Sequence, residues 1–92
     1  MILSFRSSAL KRLYERGDSS RINPDHAETV REILARLDAA LAPEDMALPA
    51  YRLHRLRGNY KGFWAVTVRA NWRVIFRFEE GHAVNVDYLD YH

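Results

Sequence analysis

Residues 51–92 read YRLHRLRGNYKGFWAVTVRANWRVIFRFEEGHAVNVDYLDYH, and the spacing of their apolar side chains decides the fold. A period of two runs through four segments: YRLHRLR (51–57), FWAVTVR (63–69), WRVIFRF (72–78) and AVNVDYL (83–89). Each predicts a β-strand. The gaps GNYKG, RAN and EEGH carry turn chemistry, and none is long enough for a crossover. The four strands therefore predict an antiparallel meander.

Upstream the period is helical. From Ser7 onward, Leu10, Leu13 and Tyr14 recur at spacings of three and four, with Ala9 beside them. Ser7 or Ser8 supplies a cap, and Gly17 stands where a left-handed residue would end the helix. NPDHAETVREILARLDAAL (23–41) predicts a second helix, with Asn23 as N-cap, Pro24 at the first helical position and Asp25 at the positive end of the dipole. Its apolar stripe is Ala27, Val30, Leu34, Leu37 and Leu41, flanked by Ile33, and Pro43 stops it. Glu32 and Arg36 pair on the outer face. His26, in the first turn, reads as a surface residue. ILSF (2–5) predicts a short opening strand, and APEDMALPA (42–50) is a connector. Helices first and strands after them give one α+β domain over 1–92, with both helices on one sheet face.

The chain has 92 residues and is 48% hydrophobic, enough for one compact core. It has no cysteine, which excludes disulfides, thiolate nucleophiles and Cys-based zinc sites. No run has the length of a signal peptide or a membrane span, so the expectation is a soluble cytoplasmic protein with no membrane partner. The net charge of +2 conceals an uneven distribution: −1 over residues 1–45, +7 over 46–78 with no acid at all, and −4 over 79–92. The central block is Arg52, Arg55, Arg57, Lys61, Arg69, Arg73 and Arg77. Its arginines suit bidentate phosphate contacts with a polyanion. The bland reading of the block is a solvated sheet face.

Strand register sharpens this expectation. If the wholly apolar faces (Trp64, Val66, Val68 and Trp72, Val74, Phe76, Phe78) meet the helices, Val68 should oppose Val74 and Val66 should oppose Phe76. A three-residue loop, Ala70–Asn71–Trp72, then joins the strands. Arg69 would face Arg73 directly, with Arg77 farther along the same face. Such opposed arginines repel, and a bound anion would relieve them. In the last strand Val84, Val86 and Tyr88 would share the apolar face. With Glu80–Gly81–His82 as the loop, Arg77 would oppose Asn85, and Arg73 would oppose Leu89. Asp90, Tyr91 and His92 then fall just beyond Arg73. His54 lies on the neighbouring strand, whose buried face is ambiguous because Leu53 and Leu56 point opposite ways.

His54, His92, Tyr91 and Asp90 beside Arg57, Lys61, Arg69 and Arg73 are the parts a metal-free ribonuclease needs. Attack of an RNA 2′-OH on the adjacent phosphate requires a base, an acid for the leaving 5′-oxygen and cations for the transition-state charge. Histidine suits both proton roles near neutral pH, and arginine suits the phosphate. Either histidine, taken alone, also has a structural reading.

At these residues the chain resembles the HigB-type toxins of the RelE/ParE superfamily, from bacterial type II toxin–antitoxin modules. The motif appears as Leu53-His54, Arg57-Gly58, Lys61-Gly62-Phe63-Trp64, Asn71-Trp72-Arg73 and Asp87 to His92, with PEDMALPAYRLH and NPDHAETVR matching upstream. The resemblance implies a RelE-like fold and a toxin that cleaves mRNA on the translating ribosome; with the acid–base and cationic side chains named above, no metal or other cofactor is expected. It implies as partners the ribosome, mRNA and a HigA-like helix-turn-helix antitoxin, through which the complex would reach operator DNA. By position, His54 and His92 would transfer protons and Arg73 would stabilise the phosphate. Arg57 and Arg69 would support Arg73, while Asp90 and Tyr91 would orient RNA or the terminal histidine. The family often has Pro and Lys where this chain has Arg55 and Arg57. Arg57 keeps the charge but cannot transfer a proton, which places that role on the histidines. The tail is read as part of the site, so deleting residues 90–92 is expected to abolish killing with little change in melting temperature. Two other classes compete: a ParE-like toxin that binds DNA gyrase without catalysis, and a plain RNA-binding module.

Overall fold

The computed structural model describes residues 1–91. Helix α1 (Ser8–Arg16) starts at Ser7, whose hydroxyl accepts the Leu10 N–H at 3.2 Å, and ends at Gly17, left-handed at φ 69°. Helix α2 (Ala27–Ala39) begins one turn later than the Asn23–Pro24 signal predicts. Asn23 instead closes the preceding turn: its Oδ1 accepts from Asp25 N–H at 2.9 Å and its carbonyl from His26 N–H at 2.8 Å. Val30, Ile33, Leu34 and Leu37 are buried, whereas Leu41 lies past the helix end and is 75% exposed. The connector holds two short 3-10 turns, Pro43–Met46 and Pro49–Tyr51, with Met46 wholly buried. Glu32 meets Arg36 at 3.4 Å and also accepts the Tyr51 hydroxyl at 2.8 Å. Burial, reinforced by that carboxylate, pushes the Tyr51 phenol up to about 12.

The sheet is an antiparallel meander, β1 (His54–Arg55), β2 (Trp64–Arg69), β3 (Trp72–Glu79) and β4 (His82–Asp90), in that spatial order. The first strand is much shorter than the alternation of 51–57 predicts. The 3-10 turn through Tyr51 and the left-handed Arg52 (φ 49°) hold off its start, and a 3-10 turn over Gly58–Tyr60 follows it. Residues 2–5 run parallel to β4 but touch it as two separate bridges, Ile2 with Ala83 and Phe5 with Val86. Between these bridges Asn85 bulges outward at φ 54°.

Both faces of the sheet carry apolar packing. The helix side holds the main core, including Leu10, Val30, Leu37, Val66, Val74, Phe76 and Val86. The far side, which carries Arg73 and Arg77, also holds a second cluster of Leu56, Phe63, Ala65 and Ile75, with Tyr60, Leu89 and Tyr91 against it. This resolves the ambiguity of the first strand, because Leu53 packs into the main core and Leu56 into the second cluster.

The hairpin registers differ from those the apolar pattern suggests. Val66 pairs with Val74 and Trp64 with Phe76, so β2 is displaced by two residues relative to the expected pairing. A two-residue slip leaves every side chain on its own face, and for that reason hydrophobic alternation cannot detect it. The loop is the shorter Ala70–Asn71, with Ala70 left-handed at φ 51°. Arg73 consequently opposes Thr67, and Arg69 opposes Trp72 after an irregularity at Val68. The expected Arg69–Arg73 opposition does not occur. The last hairpin also turns on two residues, Glu80 and Gly81, both left-handed as a type I′ turn requires. Arg77 therefore faces Val84 rather than Asn85, and Ala83 rather than Val84 joins the helix-side core. The Asn85 bulge then adds one residue to β4 and restores the expected Arg73–Leu89 pair.

Asp38 ties three segments together. Its Oδ1 accepts the Tyr14 hydroxyl at 2.6 Å and the Ile2 N–H at 3.0 Å. These bonds, Tyr14 first, hold its carboxyl below the usual range, and the charged N-terminus adds to the effect. A depressed carboxylate stabilises the fold above its unfolded pKa of ~3.9, and that contribution disappears as pH falls through the folded value. Asp38→Asn is expected to cost about 1–2 kcal/mol at pH 7, at the low end for charge-assisted bonds because the group is partly solvated. Thermal melts at pH 7 and below pH 4 would check this: the gap between variant and parent should narrow in acid.

Candidate active site

The far side of the sheet is not covered by either helix, and most of the residues singled out by their chemistry lie on it or at its ends. His54 pairs with Ala65, which pairs with Ile75, which pairs with Asp87. One step along β3 on the same face, Arg73 stands between Thr67 and Leu89. From strand spacings, His54 lies roughly 10 Å across and roughly 7 Å along the sheet from Arg73. Long side chains and a bound phosphate bridge such a gap.

Local structure fixes several of these groups. The exposed His54 has Nδ1 at 2.9 Å from the Arg52 carbonyl, which as an acceptor selects the Nδ1–H tautomer and leaves Nε2 for chemistry. The Arg73 guanidinium folds back on the hairpin turn, its Nη1 donating to the Ala70 carbonyl at 2.6 Å and the Trp72 carbonyl at 3.1 Å. Arg73 Nε and Thr67 Oγ1, on directly opposed residues, are both buried without a hydrogen-bond partner among the described residues. An unsatisfied buried donor costs about 1–3 kcal/mol. The site therefore carries polar capacity that its own side chains do not absorb.

The tail is built into the sheet up to Tyr91. Asp90 pairs with Trp72, and Tyr91 N–H donates to the Asn71 carbonyl at 2.8 Å. The Tyr91 ring meets Tyr60 at 6.1 Å, and Tyr60 in turn stands edge-on to Phe63 at 6.0 Å. His92 lies outside the described residues. Since Asp90 and Tyr91 are bonded into the fold, deleting 90–92 would lower the melting temperature, against the expectation from sequence.

The cations divide into separate groups. Arg57 and Lys61 line a cleft of ≈ 640 Å³ at the opposite end of the sheet, together with Arg55, Gly62, Phe63 and Trp64. Arg77 belongs to that end too, with its guanidinium 5.7 Å from the Phe63 ring centre. Arg69 is exposed beside the Ala70–Asn71 turn.

Residues unremarked in the sequence reading also shape this region. Tyr60 covers the second cluster, and Thr67 faces Arg73. Only register could have found Thr67, and the turn sequence GNYKG gives no sign that its tyrosine folds inward. His26, expected at the surface, is 4% exposed. Its Nδ1 is hydrogen-bonded to the Tyr88 hydroxyl, and its ring meets Trp72 at 5.6 Å. Burial raises the Tyr88 phenol. This trio ties the start of α2 to the strand ends that carry Arg73 and Asp90.

Comparison with known proteins agrees with this architecture. Residues 3–92 match the family model described as the RelE-like toxin of type II toxin–antitoxin system HigB. The chain is 38% identical over 92 residues to "Endoribonuclease HigB" of Proteus vulgaris, covering all of both chains. It is 36% identical over 94 residues to "Toxin HigB-1" of Vibrio cholerae, covering all of this chain and 98% of that one. In fold it is similar to a chain of the YoeB–YefM complex from Staphylococcus aureus, with a TM-score of 0.63 at 14% identity over 100% of this chain and 98% of that one.

Proposed function

Because the chain belongs to the RelE-like HigB toxins of type II toxin–antitoxin systems, we propose that it is an endoribonuclease that cleaves mRNA on the translating ribosome without a metal ion. The observation that carries this reading is Arg73 on the open sheet face, with an unsatisfied Nε, a facing unsatisfied Thr67 hydroxyl and the Asp90–Tyr91 tail beside it. A phosphate arriving there draws the guanidinium from the turn carbonyls into a bidentate, charge-assisted contact.

In this mechanism one histidine removes the proton from the RNA 2′-OH, and the oxygen attacks the adjacent phosphorus. The P–O5′ bond breaks, and the second histidine protonates the leaving 5′-oxygen. The products are a 2′,3′-cyclic phosphate and a 5′-hydroxyl. His54 and His92 are the proposed pair, while Arg73 stabilises the charge that develops on the phosphate. Asp90 and Tyr91 orient the RNA or His92. Arg57, Lys61, Arg69 and Arg77 bind the flanking backbone.

The partner set that goes with this function is a HigA-like helix-turn-helix antitoxin, the ribosome and mRNA, with operator DNA reached through the antitoxin. Induction of the protein in a bacterial host, followed by mapping of mRNA 5′ ends, tests the reading. New ends inside reading frames that are absent with His92→Gln support it. Intact mRNA accompanied by DNA damage would point instead to gyrase.

A further inference from the structure

We propose that Arg6 and Arg77, both stacked on Phe63, form a second phosphate-binding subsite for an RNA backbone, separate from the position at Arg73. The proposal relies on the ribonuclease reading only for the kind of polyanion. The Arg6 guanidinium carbon lies 4.8 Å from the Phe63 ring centre and that of Arg77 lies 5.7 Å from the same centre. One buried ring thus gathers two cations from opposite ends of the sequence.

Three features make this a built site. Arg6 is not on a loose terminus, because its N–H donates to the Val86 carbonyl at 2.8 Å. Gly62, at φ 93°, supplies the positive-φ backbone that lets the β1–β2 loop turn beside Arg77, whose guanidinium carbon is in ordinary contact range, 3.5 Å, of where a Cβ would stand. The ion pairs among the described residues are Arg12–Asp18 and Arg36–Glu32, so neither Arg6 nor Arg77 is ion-paired with a described carboxylate. Two like charges held against one ring repel, and a bound anion would relieve that repulsion.

Its chemistry is that of a phosphodiester chain. The site adjoins the cleft that holds Arg57 and Lys61, in the stretch of 33 residues (46–78) that contains no acid. Arg77 lies four residues from Arg73 along β3, about 13 Å, so the two hold different phosphates. Messenger and ribosomal RNA offer the same group.

The test compares the full chain with Arg6→Ala/Arg77→Ala. Binding is measured to a labelled single-stranded oligoribonucleotide in one arm and to purified 70S ribosomes in the other, across a salt titration. The double variant should bind about tenfold more weakly in at least one arm, with a log–log salt slope shallower by about 1.4. The arm affected identifies the source of the phosphate. Arg6→Ala alone, at an exposed position, should show about half that slope change with an unaltered melting curve. Lys11→Ala/Arg31→Ala, which removes the same charge from the helices, should change affinity less than twofold. Unchanged binding in both arms, or equal weakening by the helix variant, overturns the proposal. Cleavage of mRNA by the unmodified protein, followed in parallel, separates the two ideas. Cleavage together with unchanged binding by the double variant removes the subsite alone, whereas weakened binding without any cleavage removes the ribonuclease reading alone.

Discussion

Arg73→Ala is expected to lower mRNA cleavage by about 10²–10³-fold, the typical loss when one group that stabilises transition-state charge is removed. The structural cost should be small by comparison. The side chain is half-buried, and what it gives the fold is the pair of Nη1 bonds to the Ala70 and Trp72 carbonyls. Those carbonyls lie at a hairpin turn open to water, which replaces the lost donor. A melting temperature within a few degrees of the parent, together with that loss of cleavage, is the expected result. Arg73→Lys should recover only part of the activity, because an ammonium cannot make the planar two-point contact. Equal losses of stability and activity would mean that Arg73 serves the turn and not the phosphate.

The largest effect on stability is expected from Phe76→Ala. Phe76 is wholly buried at the centre of the main core and meets Phe78 at 5.8 Å in an edge-to-face arrangement. Truncation should cost about 3–5 kcal/mol through lost burial and the cavity left behind. A domain of this size is stable by only about 5–15 kcal/mol, so much of the variant would unfold under mild denaturant. In a thermal melt the shift should exceed about 12 °C. Ile75→Ala, on the other face, should cost less. It leaves a cavity in a four-residue cluster at the sheet's outer side, where Tyr60, Leu89 and Tyr91 can settle inward. Denaturation curves of both variants would show whether the two apolar layers differ in this way.

The architecture was readable wherever a periodic pattern or a cap specifies it. The Ser7 and Gly17 caps, the stripe through Val30 and Leu37, and the last three antiparallel strands appear where local chemistry places them, while the first strand is cut to His54–Arg55 by the turns on either side. Register was readable only to parity. A slip of two residues in the β2–β3 hairpin leaves Val66, Val74 and Phe76 on the core side, yet it moves Arg69 away from Arg73. In β4 the short Glu80–Gly81 turn and the Asn85 bulge shift the pairing in opposite directions. The apolar pattern therefore matches the Arg73–Leu89 pair but not the Arg77–Val84 pair, where it predicts Asn85.

The far side of the sheet was the hardest part to read. Its cluster combines Leu56, Phe63, Ala65 and Ile75 from alternating positions that also carry arginines, so charge masked the packing. The burial of His26 depends on Trp72 and Tyr88, more than forty residues away, and no local signal reports it. The same holds for Arg6, whose approach to Phe63 follows from the parallel alignment of residues 2–5 with β4.

The chemical identity of the cut ends tests the central claim most directly. Purified protein would be added to ribosomes translating a defined mRNA, and the new termini examined. Acid–base attack by the 2′-OH on the open sheet face predicts 2′,3′-cyclic phosphate and 5′-hydroxyl ends, absent with Arg73→Ala. Ends bearing 5′-phosphate and 3′-hydroxyl, the products of attack by water, would contradict it.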